Sequence, residues 1–447
     1  MSGETPFPPA FRRALASAIG VYTLREFSMN GRPRVVITGM GAISPLGDTA
    51  AENWESLLNG RSGIGPITLF DSSQLPVHIA GEVKDFDPGK YMNFKEARRV
   101  SRASQLAIAA ATMAIEDAGL APPLEEGERV ATIVGTGAGG LEVADREMMV
   151  LRTKGFNRVS PFAMVGFLPN MPAHHLSMLA GAKGHISTVV AACASGTQAI
   201  GDALDLIRNG RADRAIAGGV EGLVHETALT GFSRMRALSM RNDDPQHAMR
   251  PFDRERDGTV ISEGAGFVLL ERLEDALARG ATIHAELLGY AASSDAFHIS
   301  QPDPDAAGAV RAMRWALQDA HTSKDEIDYI NAHGTSTPMN DAMETLAIKN
   351  LFGEQAYEIP VSSSKSLLGH AMGATGAIET IMSACALRDS VVPPTWNYEL
   401  PDPQCDLDYV PNEPRELKVN RILKNSFGMG GQNACLVIGR FSKNGHG

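Results

Sequence analysis

Two stretches of this chain read as a strand that runs into a corner of small residues and then into a helix. In the first, residues 186–191 form a β-branched, apolar run, the pattern of a buried strand. Ala194, Ser195 and Gly196 follow. Ile200, Ala203, Leu204 and Ile207 then fall at i, i+3, i+4 and i+7, one apolar stripe on a helix that Gly210 can close. In the second, residues 359–365 read as a strand feeding a helix over 374–387, with Ile378, Ile381, Met382 and Cys385 marking its buried face. Each corner is followed by a strand–glycine turn–strand unit: residues 258–271 around Gly264 and Gly266, and residues 421–438 around Gly428, Gly430 and Gly431. This order implies an internal duplication of a βαβαβ-like unit, with the longer insertions in the first half.

The remaining patterns fit that plan. Residues 34–41 and 130–137 read as buried strands ending in glycine turns, 49–58 and 104–118 as helices, and 214–219 as a further strand. In the second half, 284–290 and 327–334 read as strands and 307–320 as a helix. A chain of 447 residues, 43% apolar and 21% charged, buries a large core and suggests two or three domains. We expect halves over 30–283 and 284–441, after an extension over 1–29 that reads as a leader or remnant before a start near Met29. The net charge of −11 argues against nucleic acid as partner. Four cysteines without CxxC spacing point to a reducing, cytoplasmic compartment. No apolar run reaches membrane-spanning length.

Cys193 sits at the first corner. A helix N-terminus favours a thiolate, free backbone N–H groups can hold an oxyanion, and small neighbours admit an acyl group. The competing reading is a buried, inert thiol. His333 and His370 both lie at glycine-flanked strand ends in the half opposite Cys193. Each alone is commonly a satisfied structural residue; together they can converge on the thiol across a pseudo-two-fold. A metal site is disfavoured, because neither HxxxH nor HxH spacing nor a cysteine pair is present. The GxGxxG-like loop over Gly135, Gly137 and Gly140 has no acidic residue about 20 positions on, which argues against a nicotinamide cofactor. Asp341 and Glu344 can form a capping box for a helix over 342–349, and Glu344 can also be the partner that fixes Lys365.

Several motifs occur in register: Ala192-Cys193-Ala194-Ser195-Gly196, the run Asn331 to Pro338 holding His333, Ser364-Lys365 with Gly369-His370, and the run Asn425 to Gly431. Pro251 to Gly258 adds to them. Over residues 34–440 the chain resembles the elongating β-ketoacyl-carrier-protein synthases of the thiolase superfamily. The resemblance implies a duplicated α/β fold in five αβαβα layers, with two mixed sheets around a central helix layer, and a homodimer. It implies a decarboxylative Claisen condensation with no cofactor beyond the phosphopantetheine of an acyl-carrier protein. Cys193 would carry the acyl group, and His333 and His370 would hold the enolate oxygen. Lys365 would act through Glu344 to keep His370 placed. Cys193 and Met429 would supply oxyanion N–H groups, Phe427 and Met429 would line the gate, and Thr335 and Thr337 would contact pantetheine.

An acidic carrier also needs a local basic patch, for which Lys95, Arg98, Arg99, Arg234 and Arg236, with Arg241, are candidates. Lys95 to Arg99 reads equally as a solvated helix start. Met429 stands where the family commonly has Phe, Gln432 where Thr or His is usual, and Ala138 where the acyl pocket is limited. The small Ala138 hints at longer acyl chains. A thiolase, a chain-length partner without a nucleophile, and a polyketide or specialised-lipid condensing enzyme are the competing readings. The histidine set disfavours the first, Cys193 the second, and the third is the runner-up.

Overall fold

A computed structural model describes residues 32–442; the expected extension over 1–29 lies outside them. Ten strands build the main sheet. They are β1 (Val35–Ile43), β2 (Val130–Gly135), β3 (Ile186–Val189), β4 (Arg214–Glu221), β5 (Gly264–Arg272), β6 (Ala285–Ser294), β7 (Tyr329–Asn331), β8 (Val361–Ser362), β9 (Arg421–Gly428) and β10 (Gln432–Gly439). The first five lie in the order β1-β5-β4-β2-β3, and the second five repeat it as β6-β10-β9-β7-β8. The directions repeat as well: the first two pairings of each half are antiparallel and the last two parallel. The two five-stranded sheets join edge to edge through three residue pairs of β1 with β6, Val35–Leu287, Val36–Glu286 and Ile37–Ala285. The duplication read from element order is therefore a repeat of strand order and polarity.

Helices fill three layers. Helix α1 (Arg102–Asp117) and α2 (Met171–Ala180) cover the outer face of the first sheet. There Leu106, Ile115 and Leu176 pack against Phe267 and Leu269. Helix α3 (Ser195–Arg208) and α6 (Met372–Asp389) lie between the sheets and touch both. Helix α4 (Ala307–Asp319) and α5 (Pro338–Phe352) cover the second sheet, with Met313 and Ile348 against Leu423 and Val437. Each such large apolar side chain contributes about 1.5–3 kcal/mol on leaving water, so the central layer, buried from both sides, anchors the molecule.

Three local expectations need correction. Helix α6 has no single buried face, because every residue from Met372 to Leu387 is buried. A sheet on either side requires an apolar surface all round, which its Ala and Gly residues provide at close approach. The run at 186–191 is not a buried strand. β3 ends the first sheet with only β2 beside it, and Ile186 and Val190 are 49% and 53% exposed. β-branched residues favour the extended backbone but do not by themselves say that both faces are covered. Residues 258–271 hold one strand, β5, preceded by isolated bridges rather than a second strand.

Candidate active site

Cys193 lies in a single 3-10 turn, Ala192–Ala194, between β3 and α3. Ala192 has φ +48°, a left-handed conformation that a non-glycine residue adopts only under constraint. The constraint is visible. The Ala191 N–H donates to Ser195 Oγ at 2.8 Å, and Ser195 Oγ donates to Ala192 O at 2.7 Å, folding the corner tightly. Gly428 touches the same corner; a Cβ there would lie 2.6 Å from Ala191 O. Glycine lets the turn after β9 bring the Met429 amide to the sulfur, where it joins the amide of Cys193 itself. Those two N–H groups both point at the sulfur.

The second corner supplies the imidazoles. His370 is held by its backbone: its N–H donates to Val260 O at 2.8 Å, and its O accepts from Ser262 N at 3.0 Å. Its Nε2 lies 3.0 Å from Cys193 Sγ, and its Nδ1 lies 3.1 Å from Thr375 Oγ1. A Thr375 hydroxyl donating to Nδ1 puts the ring proton on Nε2, facing the sulfur. The His333 ring stands edge-on to that of His370, centroids 5.5 Å apart, and to Phe427 at 5.9 Å. Cys193 Sγ and one ring nitrogen of each histidine all lie within 4.8 Å of one another. The three side chains are buried, at 8%, 3% and 2% exposure, at the floor of a cavity of about 290 Å³.

Burial dominates the electrostatics. It pushes the Cys193 thiol up to about 11, against the Met429 amide and Lys365, which pull it down. Burial also drives His333 and His370 well below the ordinary histidine value, with Lys365 and Lys424 adding to the effect, so both rings are neutral.

Glu344 does not hold Lys365. It accepts from the His333 N–H at 2.8 Å and the Gly334 N–H at 2.7 Å, and so fixes the loop that carries His333. The partner of Lys365 is Glu379 on α6, at 2.6 Å. Nor do Asp341 and Glu344 form a capping box. Helix α5 starts at Pro338 with Thr337 as its cap, and Asp341 accepts instead from Phe252 N and Thr335 N. Acid-to-lysine pairing was open from spacing alone; packing of α6 beneath residues 363–366 decided it.

Thr335 and Thr337 line the cavity, with their hydroxyls 3.0 Å apart. Met429 lines it too, as do Met235, Met339, Met343 and Met372. The Met372 thioether is 3.7 Å from Cys193 Sγ. Ala138 packs on the apolar cluster around Cys193, and its N–H donates to Glu221. Of Lys95, Arg98, Arg99, Arg234 and Arg236, only Arg236 borders the cavity. Lys95, Arg98, Arg99 and Arg234 are exposed elsewhere, Arg99 over the Phe162 ring and Arg98 over Phe94. Among the described residues, none of the five pairs with a carboxylate, whereas Arg241 faces Glu255 and Asp257.

Glu379, Lys424, Thr375 and Glu221 escaped the reading from sequence. Glu221 gathers N–H groups of Gly137, Ala138 and Gly373, tying the glycine loop to the start of α6. The available signal was Glu379, the one acid within residues 372–387 of a helix otherwise rich in small and apolar residues.

The fold and these motifs match known proteins. The Beta-ketoacyl synthase N-terminal domain family matches residues 32–276, and its C-terminal domain family matches residues 284–399. The chain is 48% identical over 410 residues to "3-oxoacyl-[acyl-carrier-protein] synthase 2" of Synechocystis sp., covering 92% of this chain and 99% of that protein. A protein of the same name from Staphylococcus aureus is 46% identical over 413 residues, covering 92% of this chain and all of its own. Among solved structures, the ishigamide ketosynthase/chain length factor superposes with a TM-score of 0.87 at 38% identity, covering 92% of this chain and 100% of that one. A β-ketoacyl synthase from Burkholderia phymatum gives 0.85 at 36%, with the same coverage. With both family halves matched and the thiol and imidazoles in one pocket, the chain belongs to the β-ketoacyl synthase family of condensing acyltransferases.

Proposed function

We propose that Cys193, His333 and His370 perform the family's chain-elongating condensation on carrier-bound substrates. The observation that carries this is the sulfur lying 3.0 Å from His370 Nε2 within a pocket shared with His333. Cys193 attacks the thioester carbonyl of an acyl-carrier protein. One C–S bond forms and one breaks, and the thiol proton ends on the released pantetheine sulfur. Because burial holds the thiol near 11, the thiolate depends on the amides of Cys193 and Met429 and on His370 Nε2–H as the thioester arrives.

Malonyl-carrier protein then enters past Thr335 and Thr337. Its C–C bond breaks, CO2 leaves, and the electron pair settles on the thioester oxygen, held by the N–H groups of two neutral imidazoles. The enolate carbon attacks the acyl carbonyl, the resulting oxyanion sits on the Cys193 and Met429 amides, and collapse returns the sulfur, which takes one proton from solvent. Lys365 acts on the site by its charge and by its pairing with Glu379.

Arg236 at the mouth, with the exposed cations Lys95, Arg98, Arg99 and Arg234, supports docking of an acidic carrier. A second copy of the chain is the expected partner of the first half. The edge strand β3 is unpaired on one side, and the helices leading to it expose Met148, Phe156, Phe162, Met164 and Met178. We divide the chain between Arg272 and Ala285, where one sheet's strands end and the other's begin. The four free cysteines, all buried, support a reducing cytoplasmic setting. Among the described residues no helix is long and apolar enough to cross a membrane.

The test is a panel of acyl-carrier thioesters, short to long, with malonyl-carrier protein, read by intact mass. We expect an acyl adduct on Cys193 and a 3-oxoacyl product two carbons longer. An adduct that persists in Cys193→Ala, or no product from any straight-chain substrate, overturns the reading; the second outcome moves the enzyme toward polyketide or specialised-lipid condensation.

A further inference from the structure

Lys424, on β9, is fully buried, and none of the steps above uses it. Its Nζ donates to Thr197 Oγ1 at 3.1 Å on the nucleophile's helix α3 and to Asn425 O at 2.9 Å. It also bonds Ser426 Oγ, and Ser426 in turn lies 2.8 Å from Thr197 Oγ1. On its far side Nζ is 3.1 Å from Glu379 Oε2, whose other oxygen is bonded to Lys365. Two buried ammoniums therefore face one carboxylate. Glu379 Oε1 accepts from Lys365, whereas Oε2 faces Lys424 as an ion pair without a hydrogen bond, and among the described residues no other acid pairs with either lysine.

We propose that Lys424 is a second positioning residue of the condensing site: it ties the nucleophile's helix to the strand that carries the oxyanion turn, and shares Glu379 with Lys365 so that one unit of positive charge stays buried behind the two imidazoles. This rests on the reaction assigned above. Charge of that sign keeps His333 and His370 unprotonated and favours the negative charge that develops on the enolate and tetrahedral oxygens. Among the described residues, other ionisable groups facing this cluster are Glu344 on α5, which reaches β9 through Asn425 (3.2 Å), Tyr329 on β7 toward Glu379, Cys435 on β10, Cys193 itself, and Glu221 beneath Gly373. Burial lowers the Lys424 ammonium from its ordinary range, Glu379 opposes that, and Lys365 reinforces it.

The test compares the full-length enzyme with Lys424→Met, which removes the charge and keeps the length, and with Lys424→Arg. Histidines labelled at Cε1 are titrated by NMR, the two signals being assigned by their loss in His333→Asn and His370→Asn. CO2 release from malonyl-carrier protein and acylation of Cys193 are followed in parallel. Lys424→Met should retain acylation, lose about tenfold in CO2 release, and raise the midpoints of both imidazoles by about one pH unit, since a like charge has been removed. Lys424→Arg should leave the midpoints where they were. If Lys424→Met does not fold, Lys424→Gln, which keeps an amide for Thr197 and Ser426 without the charge, decides on the same midpoints. A rate loss with unmoved midpoints reduces Lys424 to packing and overturns the proposal, as does an unchanged rate. A wild-type enzyme that releases no CO2 sinks the assigned reaction instead.

Discussion

The two strand-to-helix corners occupy equivalent places in two sheets of identical strand order, yet they solve different physical problems. The corner after β3 lies at an exposed sheet edge and presents one uncharged nucleophile. Its geometry is held by hydrogen bonds through Ser195 and by a left-handed Ala192. The corner after β8 is buried throughout and presents an imidazole. Beneath it lies an ionic cluster, Lys365–Glu379–Lys424, wholly inside the protein. One scaffold thus carries a thiol at one corner and a buried ionic support beneath the other. Duplication supplies the placement; divergence of a few side chains supplies the chemistry.

Five changes break or sharpen that contrast. The largest effect is expected from Cys193→Ala, which should remove acyl transfer and condensation to background while the thermal midpoint moves little; an adduct by intact mass in that variant would count against the first corner's role. His370→Ala should separate the corners: Cys193 still acylates, while decarboxylative condensation falls by roughly 100-fold to 10,000-fold. Equal loss of both steps in single-turnover assays would show that the corners do not divide the labour.

Stability should divide the same way. Glu379→Gln leaves two buried ammoniums without their carboxylate and should cost about 3–5 kcal/mol. Ser195→Ala, which leaves the Ala191 N–H without its acceptor and removes the hydroxyl donated to Ala192 O, should cost about 1–3 kcal/mol. Denaturant titration of both variants decides, and a larger loss for Ser195→Ala would invert the picture. The smallest change is expected for Met429→Phe. A stiffer ring at the cavity mouth should alter the ratio of rates on long and short acyl chains severalfold, with acylation of Cys193 by a short chain unchanged. The cavity of about 290 Å³ is lined at this point by the flexible side chains of Met372 and Met429.

The groups of the candidate site were legible because each sits inside a short contiguous run of turn-forming residues. Cys193 among small residues, His333 and His370 beside glycines, and the glycine turn at 428–431 each carry their local geometry with them. The supporting groups were not legible. Glu344 and Glu379 are both acids on helices, and either could have served Lys365 by spacing. Lys424 reads as an ordinary charged position in a strand until the burial of both faces of β9 is known. The edge position of β3 was equally hidden, since its residues suit a central strand.

Element order, the repeat of that order, and the corners that carry Cys193, His333 and His370 were thus determined by the sequence itself, because backbone preferences and hydrophobic periodicity act over a few residues. Which carboxylate meets which ammonium, which strand ends the sheet, and how close the imidazole comes to the sulfur were decided only by the tertiary structure. Those are contacts between segments far apart in the chain, 177 residues for His370 and Cys193. Their energies depend on burial, and burial is a property of the assembled layers rather than of any single stretch.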